Sequence, residues 1–452
     1  MRRTFQSLQV RNYRLFAFGQ LISLIFGWVQ ITAQDWLVLQ VSHDSPSALG
    51  VVTALQFTPV MLFTLYAGKL ADRFDKRLLL IVVNAVWLVL SGLMGVLVLS
   101  GAVALWQVYA FALLWGTVAA IETPFRQSFV HEMVGPALLP NALSLNAATF
   151  NSARVIGPAL AGFAIAGLGT GSAFVANALS YLVPVVALSR MRPGELHRGA
   201  RATADSGVLD GLRYVWRRPD LLLPVGLMLV IGMVGYNFQL TLPVLAKRTF
   251  HTGAATFGLL ITALALGSIG GALAGSRRRE RPSVYVVLGG AVAFGVLGTL
   301  AALMPTYLLT AVLLVPTGFA MIYLAQAANQ RVQLGTDAAY RGRVMALYFL
   351  VFIGTNPISA PLVGWLAQVA GARAAIWIGT VISLVVSVVA LVVRLRHAPA
   401  SKLYVDVVPV WQGEERGAPA PADLSGHRLH PVPSGGRARS DRTGPELSRV
   451  DG

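Results

Sequence analysis

The chain has 452 residues, a mean hydropathy of +0.65 and 12% charged residues, about half the ~25% of an ordinary soluble domain. Apolar windows of ~20 residues, each long enough to cross ~30 Å of hydrocarbon as a helix, recur along most of it and exclude a soluble globule. The lack of cysteine excludes disulfides, thiolate metal sites and cysteine nucleophiles. The net charge of +17 points to nucleic acid only if its charges are gathered for that purpose, and their placement argues otherwise.

In chain order, "MRRTFQSLQVRNYRLF" is basic and then apolar. The run after it is too long for a signal-peptide core and has no clear cleavage site, so it reads as a retained first span. The predicted spans are 14–40, 49–68, 78–100, 104–125, 142–167 and 172–190, then 221–246, 254–276, 284–303, 306–328, 343–368 and 374–396. Charged residues and Pro/Gly clusters such as "SHDSPSALG" and "GPALLPN" bound them. Between the sets of six lies a polar, basic loop, 191–220, in which "GVLDGLRYVW" reads as a short amphipathic surface helix. The segment 399–452, rich in Pro, Gly, Arg and Ser, is expected to be a disordered cytoplasmic tail. The expected fold is therefore an all-α membrane protein. It has twelve transmembrane helices in two pseudo-symmetric six-helix bundles, 1–190 and 221–398.

Alternate loops collect the basic residues. Outside the tail, 23 fall on the side of the N-terminus, among them Arg2, Arg3, Lys69, Arg73, Lys76, Arg77, Arg277 and Arg281, against Lys247, Arg248 and Arg373 on the other. This bias predicts cytoplasmic termini and accounts for the net charge by topology and contact with anionic lipid, without nucleic acid. The halves are weakly alike. Residues 126–162 and 331–364 each enter on an arginine-led loop and end on a mid-helix proline, Pro158 or Pro361, followed by Gly162 or Gly364. Two similar six-span halves are how many secondary transporters are built.

Apart from arginines at span ends, three charges fall inside predicted spans, at a cost on insertion scales of about 2.5–3.5 kcal/mol each near the bilayer centre. Arg154, about 16 Å into span five on helical rise, is the candidate to bind a polar or anionic substrate group. Asp35, near the outer end of span one, is the candidate proton-coupling site, with a half-exposed mouth residue as the alternative. Their depths differ by roughly 10 Å, so a direct pair is not implied. Glu122 sits at the inner end of span four, before Pro124. Gln30 and Gln34 share a helix face, and with Asn146, Asn151, Asn237 and Gln239 they are candidates to line a pathway or bond between helices. Trp28, Trp36, Tyr236, Phe238 and Tyr323 are candidates for an apolar binding wall. Gly157, Pro158 and Gly162 remove bulk and a backbone donor and read as a hinge, or as packing alone. No nucleotide loop, intramembrane histidine or nucleophile–base set is present, so no enzyme, cofactor or metal is expected.

The stretch "GKLADRFDKR" between spans two and three resembles the loop signature of the major facilitator superfamily, in Gly68, Asp72, Arg73, Lys76 and Arg77. Asp75 stands where that pattern often has glycine. "ARVIGPALAG", Ala153 to Gly162, resembles the Gly-Pro signature of the superfamily's exporters. The resemblance covers about residues 10–396. Stretches such as "GQLIS" and "AQDWLVLQ" look closest to the bacterial drug and siderophore efflux branch. It implies proton-coupled antiport of a small amphipathic molecule across the bacterial inner membrane, by a protein acting as a monomer. Uptake, lysophospholipid flipping and a non-transporting receptor remain as alternatives. The corner reads as an inner gate. Asp72 would accept from the first amides of span eleven, where Arg341 and Arg343 add attraction, while Arg73 and Arg77 reach Glu122.

Overall fold

The computed structural model describes residues 5–71, 74–197, 208–278, 280–337 and 340–397, and they form helices with no strand among them. The chain opens with α1 (Arg11–Val41), α2 (Pro46–Ala71) and α3 (Lys76–Leu99). Asp75 caps α3, its carboxylate accepting from the Leu78 amide at 3.0 Å. Gly68 falls in α2, while Asp72 and Arg73 lie outside the described residues, as does the expected tail.

Helical bonding then runs from Leu105 to Ser180, several times the length a bilayer requires. The chain reverses at Gly135 (φ 66°, ψ 177°) and Gly169 (φ 80°, ψ 168°), in a backbone region that glycine enters at little cost. The limbs are α4 (105–134), α5 (136–168) and α6 (170–180, continued by Leu182–Ser189). The loop expected at 126–141 is thus a single-residue turn between two helices. Pro136 follows it as the first residue of α5, where its missing N–H costs nothing.

The second half begins with α7, which runs Pro219–Val234, unwinds at 235–237, resumes at Phe238–Val244 and ends in a π-helical turn, Leu245–Thr249. Then come α8 (Ala254–Ser276), α9 (Val284–Leu303), α10 (Tyr307–Gly335), α11 (Arg341–Ile353, resumed at Asn356–Ala370) and α12 (Ala372–His397). Among the described residues ten helices are long and apolar enough to cross a bilayer, with 105–189 counted as one. The expected twelve differ from these ten by the two glycine turns inside that run.

The halves repeat one pattern of neighbours. Gly116 brings α4 onto the Gln56 carbonyl of α2, as Gly318 brings α10 onto the Leu264 carbonyl of α8. Gly95 lets α3 meet Val175 of α6, as Gly295 lets α9 meet Leu384 of α12. Lipid gives helices no hydrophobic drive to associate, so small residues that admit close contact carry the packing. Val82, Val89, Leu93 and Val96 stay exposed on α3, an apolar face suited to lipid.

The end of the molecule with the arginine-rich corners is here termed the basic end, and the other the far end. At the basic end the surface helix Val208–Trp216 rides on the second half. Tyr214 stacks on Tyr340 with ring centroids 4.5 Å apart and donates to Asp337 at 2.8 Å. Asp220 holds Arg218 at 3.0 Å and Arg281 at 2.8 Å.

Candidate functional site: a cavity between the halves

A cavity of about 180 Å³ lies where the halves meet. Helical spacing selects much of its wall. Trp28, Thr32 and Asp35 share one face of α1; Phe150 and Arg154 share one of α5; and Phe257, Ile261, Leu264 and Ala265 share one of α8. Met321 comes from α10. Tyr236, Phe238 and Gln239 enter it beside the unwound turn of α7. A fully helical α7 could not present 236, 238 and 239 together in this way, and the sequence had suggested an unbroken span there.

Two of the three charges singled out from the sequence, Asp35 and Arg154, line the cavity. Asp35 is 7% exposed and its Oδ2 has no hydrogen-bond partner. Gln239, on the opposite half, is the side chain beside its carboxyl. Arg154 is half-buried against the same space. Neither charge forms an ion pair among the described residues, with the other or with a third group.

Other candidates lie elsewhere. Gln34 is buried but is not a wall residue, and Asn151 turns back to the Ala147 carbonyl at 2.8 Å. Gln30 accepts from Ser91 at 2.6 Å and Asn177 at 2.5 Å, tying α1, α3 and α6 together. Asn146 accepts from the Tyr13 hydroxyl at 3.0 Å. Trp36 stacks on Phe257 at 5.9 Å, and Tyr323 lies under the Arg278 guanidinium at 3.9 Å. Phe150, Phe257, Ile261, Leu264 and Met321 were missed, because apolar residues in apolar spans give no contrast.

The expected pairing of Arg77 with Glu122 does not form here. Arg77 donates to the carbonyls of Leu188 and Ser189 at 2.6 and 2.8 Å, at the end of α6, where free carbonyls attract a cation. Glu122, 5% exposed, takes Arg126 at 2.7 Å, one turn along its own helix. Arg341 is exposed, and Arg343 stands 3.8 Å from Asp210 of the surface helix.

The far end joins the halves twice, in related ways. α5 meets α8, where a methyl group on Gly162 would stand 2.9 Å from the Ala254 carbonyl oxygen and one on Gly258 would strike the Pro158 carbonyl. α2 meets α11, where Gly50 abuts Ala360 and Gly364 abuts Pro46. Gly157 lies against Trp28 of α1, and α5 keeps helical dihedrals through Pro158. The three residues expected to act as a hinge thus form close-packed surfaces here. An ion pair lies over the cavity's far side. Asp44, held at φ 63°, takes Lys247, whose ammonium is also 5.4 Å from the Trp36 ring. Ser45 and Gln368 add a bond at 3.4 Å. Among the described residues, the hydrogen bonds, ion pairs and ring stacks between the halves lie from cavity depth to the far end.

A two-bundle helical fold with a polar-and-aromatic cavity between its halves defines a multi-pass secondary transporter of the major facilitator type. The chain belongs to the transmembrane secretion effector family of that superfamily, whose model matches residues 3–411. It is 27% identical over 362 residues to the multidrug efflux pump Tap of Mycolicibacterium fortuitum, covering 76% of this chain and 87% of that one. It is 26% identical over 249 residues to the Staphyloferrin A transporter of Staphylococcus aureus, covering 54% of this chain and 61% of that one, so the match spans less than two thirds of that relative. A bacterial homologue of the human lysosomal transporter Spinster, solved inward-facing, superimposes with a TM-score of 0.65 at 16% identity, covering 85% of this chain and 95% of that one. A POT family transporter in complex with 5-aminolevulinic acid gives 0.68 at 10%, covering 85% and 96%. At such identities the solved structures establish the fold alone.

Proposed function

We propose that the protein is a proton-coupled exporter that exchanges protons for a small amphipathic molecule, such as a drug, antibiotic or siderophore, by alternating access. The observation that carries this reading is Asp35, a buried carboxyl in the cavity between the halves with no ion-pair partner among the described residues. A group so placed can change protonation and ligation as the cavity changes sides. Proton and substrate would drive the cycle by favouring different states. The arginine bias puts the basic end and both termini in the cytoplasm, so the far-end contacts correspond to an inward-facing conformation. The efflux-pump relative favours export, and the bacterial relatives favour the inner membrane.

In the return state Gly68, Asp72, Arg73 and Arg77 would form the inner gate with Arg341 and Arg343, near Glu122. The surfaces at Gly157, Pro158 and Gly162 would serve as the pivot. The monomer is the working unit, with basic loops on anionic lipid.

The test is flux in proteoliposomes under an imposed pH gradient, with and without a protonophore. Export that follows the gradient and collapses with it supports the reading. Flux indifferent to the gradient overturns the coupling, and accumulation in the reverse sense overturns the direction.

A further inference from the structure

We infer that the cavity selects molecules bearing both a protonated amine and an acidic group at opposite ends of an aromatic or similarly apolar body. The inference rests on the cavity being the transport site. Its first ground is that Asp35 and Arg154 both line the cavity yet are not paired with each other. Its second is that Asp35 Oδ2 is buried with no hydrogen bond, whereas polar atoms this deep are ordinarily satisfied. Its third is that the helices hold these two groups apart. On helical rise their backbones differ in depth by roughly 10 Å, with Asp35 toward the far end and Arg154 toward the basic end.

A ligand with one charge satisfies one group and leaves the other facing a partly dehydrated space, which is costly. A ligand with both charges satisfies each and needs no counter-ion. The rings of Trp28, Phe150, Phe238 and Phe257 lie in the same wall and supply a surface for the body between its charges. They also place aromatic faces near an ammonium held at Asp35. The polarity is directional. The amine points to the far end, beside Gln239, and the acid to the basic end.

The experiment uses the full-length purified transporter and a matched set of probes: 4′-(aminomethyl)biphenyl-4-carboxylic acid, its methyl ester, its N-acetyl derivative, and the N-acetyl methyl ester. These are zwitterion, cation, anion and neutral forms of one body. Calorimetry should show the zwitterion binding at least about tenfold more tightly than any other form, a difference of about 1.4 kcal/mol. Asp35→Asn should erase the preference for zwitterion over anion, and Arg154→Gln the preference for zwitterion over cation. Each variant keeps the other preference, which a merely misfolded protein would not do. Equal affinities for the four forms, a cation or anion as tight as the zwitterion, or no binding of the zwitterion overturns the inference. Flux of the same probes under a pH gradient separates this from the wider proposal. Zwitterion binding without gradient-driven flux removes the coupling and leaves the selectivity. Gradient-driven export of the cation alone does the reverse.

Discussion

Asp35 and Arg154 were legible in the sequence because charges are rare in this membrane domain, and each had to find a partner or a polar space. That they share a cavity was not legible, because helical rise gives depth and says nothing of rotation. The apolar wall was also hidden, since Phe257 or Ile261 looks like any other residue of an apolar span. Asp35→Asn should leave counterflow of an amine-free substrate, which makes no use of the Asp35 carboxylate, near the wild-type rate and abolish the response of its flux to a pH gradient. An equal fall in both would assign Asp35 to binding or structure and remove it from coupling. The Asp44–Lys247 pair gives a second test at this scale. Its side chains are 39% and 24% exposed, so the pair is worth no more than an exposed ion pair, about 0.2–1 kcal/mol. It biases the far end toward closure by no more than about fivefold. Lys247→Met should therefore increase the thiol reactivity of Ala255→Cys from the far side by a factor of that order, an assay kept clean by the cysteine-free chain. Unchanged reactivity would make the pair incidental.

At the scale of elements, the α5–α8 and α2–α11 crossings matter most. The sequence marked Pro158, Gly162, Pro361 and Gly364 as related positions, and the structure shows why the relation holds. Each proline–glycine pair presents a surface to a glycine one loop past the first span of the opposite half, Gly258 or Gly50. Those partner glycines carried no signal, because a glycine in an apolar helix reads the same whether it faces lipid or another helix. The break in α7 was unreadable for a similar reason. Nothing in "GMVGYNFQL" forbids a helix, so the break at 235–237 leaves no mark in the sequence. Overpacking a fitted contact typically costs about 1–3 kcal/mol. Gly258→Val should thus shift the population away from far-end closure by roughly tenfold or more, lower transport, and expose Ala255→Cys to far-side reagents. The same substitution at Gly289, which has open space around it, should do none of these. If Gly258→Val transports normally, the crossing is not part of the cycle.

For the whole molecule, the far end is joined, and among the described residues three charges expected at the inner gate are engaged within their own half or by the surface helix. Arg77 is spent on the α6 carbonyls, Glu122 on Arg126, and Arg343 lies nearest Asp210. Among the described residues of the corner "GKLADRFDKR", Asp75 caps α3, Lys76 pairs with Glu132 at 2.7 Å and Arg77 holds the α6 carbonyls, so these charges are met within the first half. If the proposed inner gate holds, closing that end would exchange these partners for others at small net cost, as a reversible gate requires. In the proposed gate Asp72 would stand at the first turn of α11, where an anion contributes about 0.3–1 kcal/mol, and about 2 kcal/mol where it is partly buried. Removing it therefore shifts the balance between the two states by up to about 30-fold, with no effect on either bundle's packing. Asp72→Asn should accordingly insert and fold normally, lose most of its flux, and hold the cavity open to the basic side. Phe150→Cys, on the cavity wall and 42% exposed, reports that opening through faster labelling from the basic side in the Asp72→Asn background. Normal flux with unchanged labelling would mean that the corner fixes topology and does not gate. Lost flux with unchanged labelling would place Asp72 in some step other than closure.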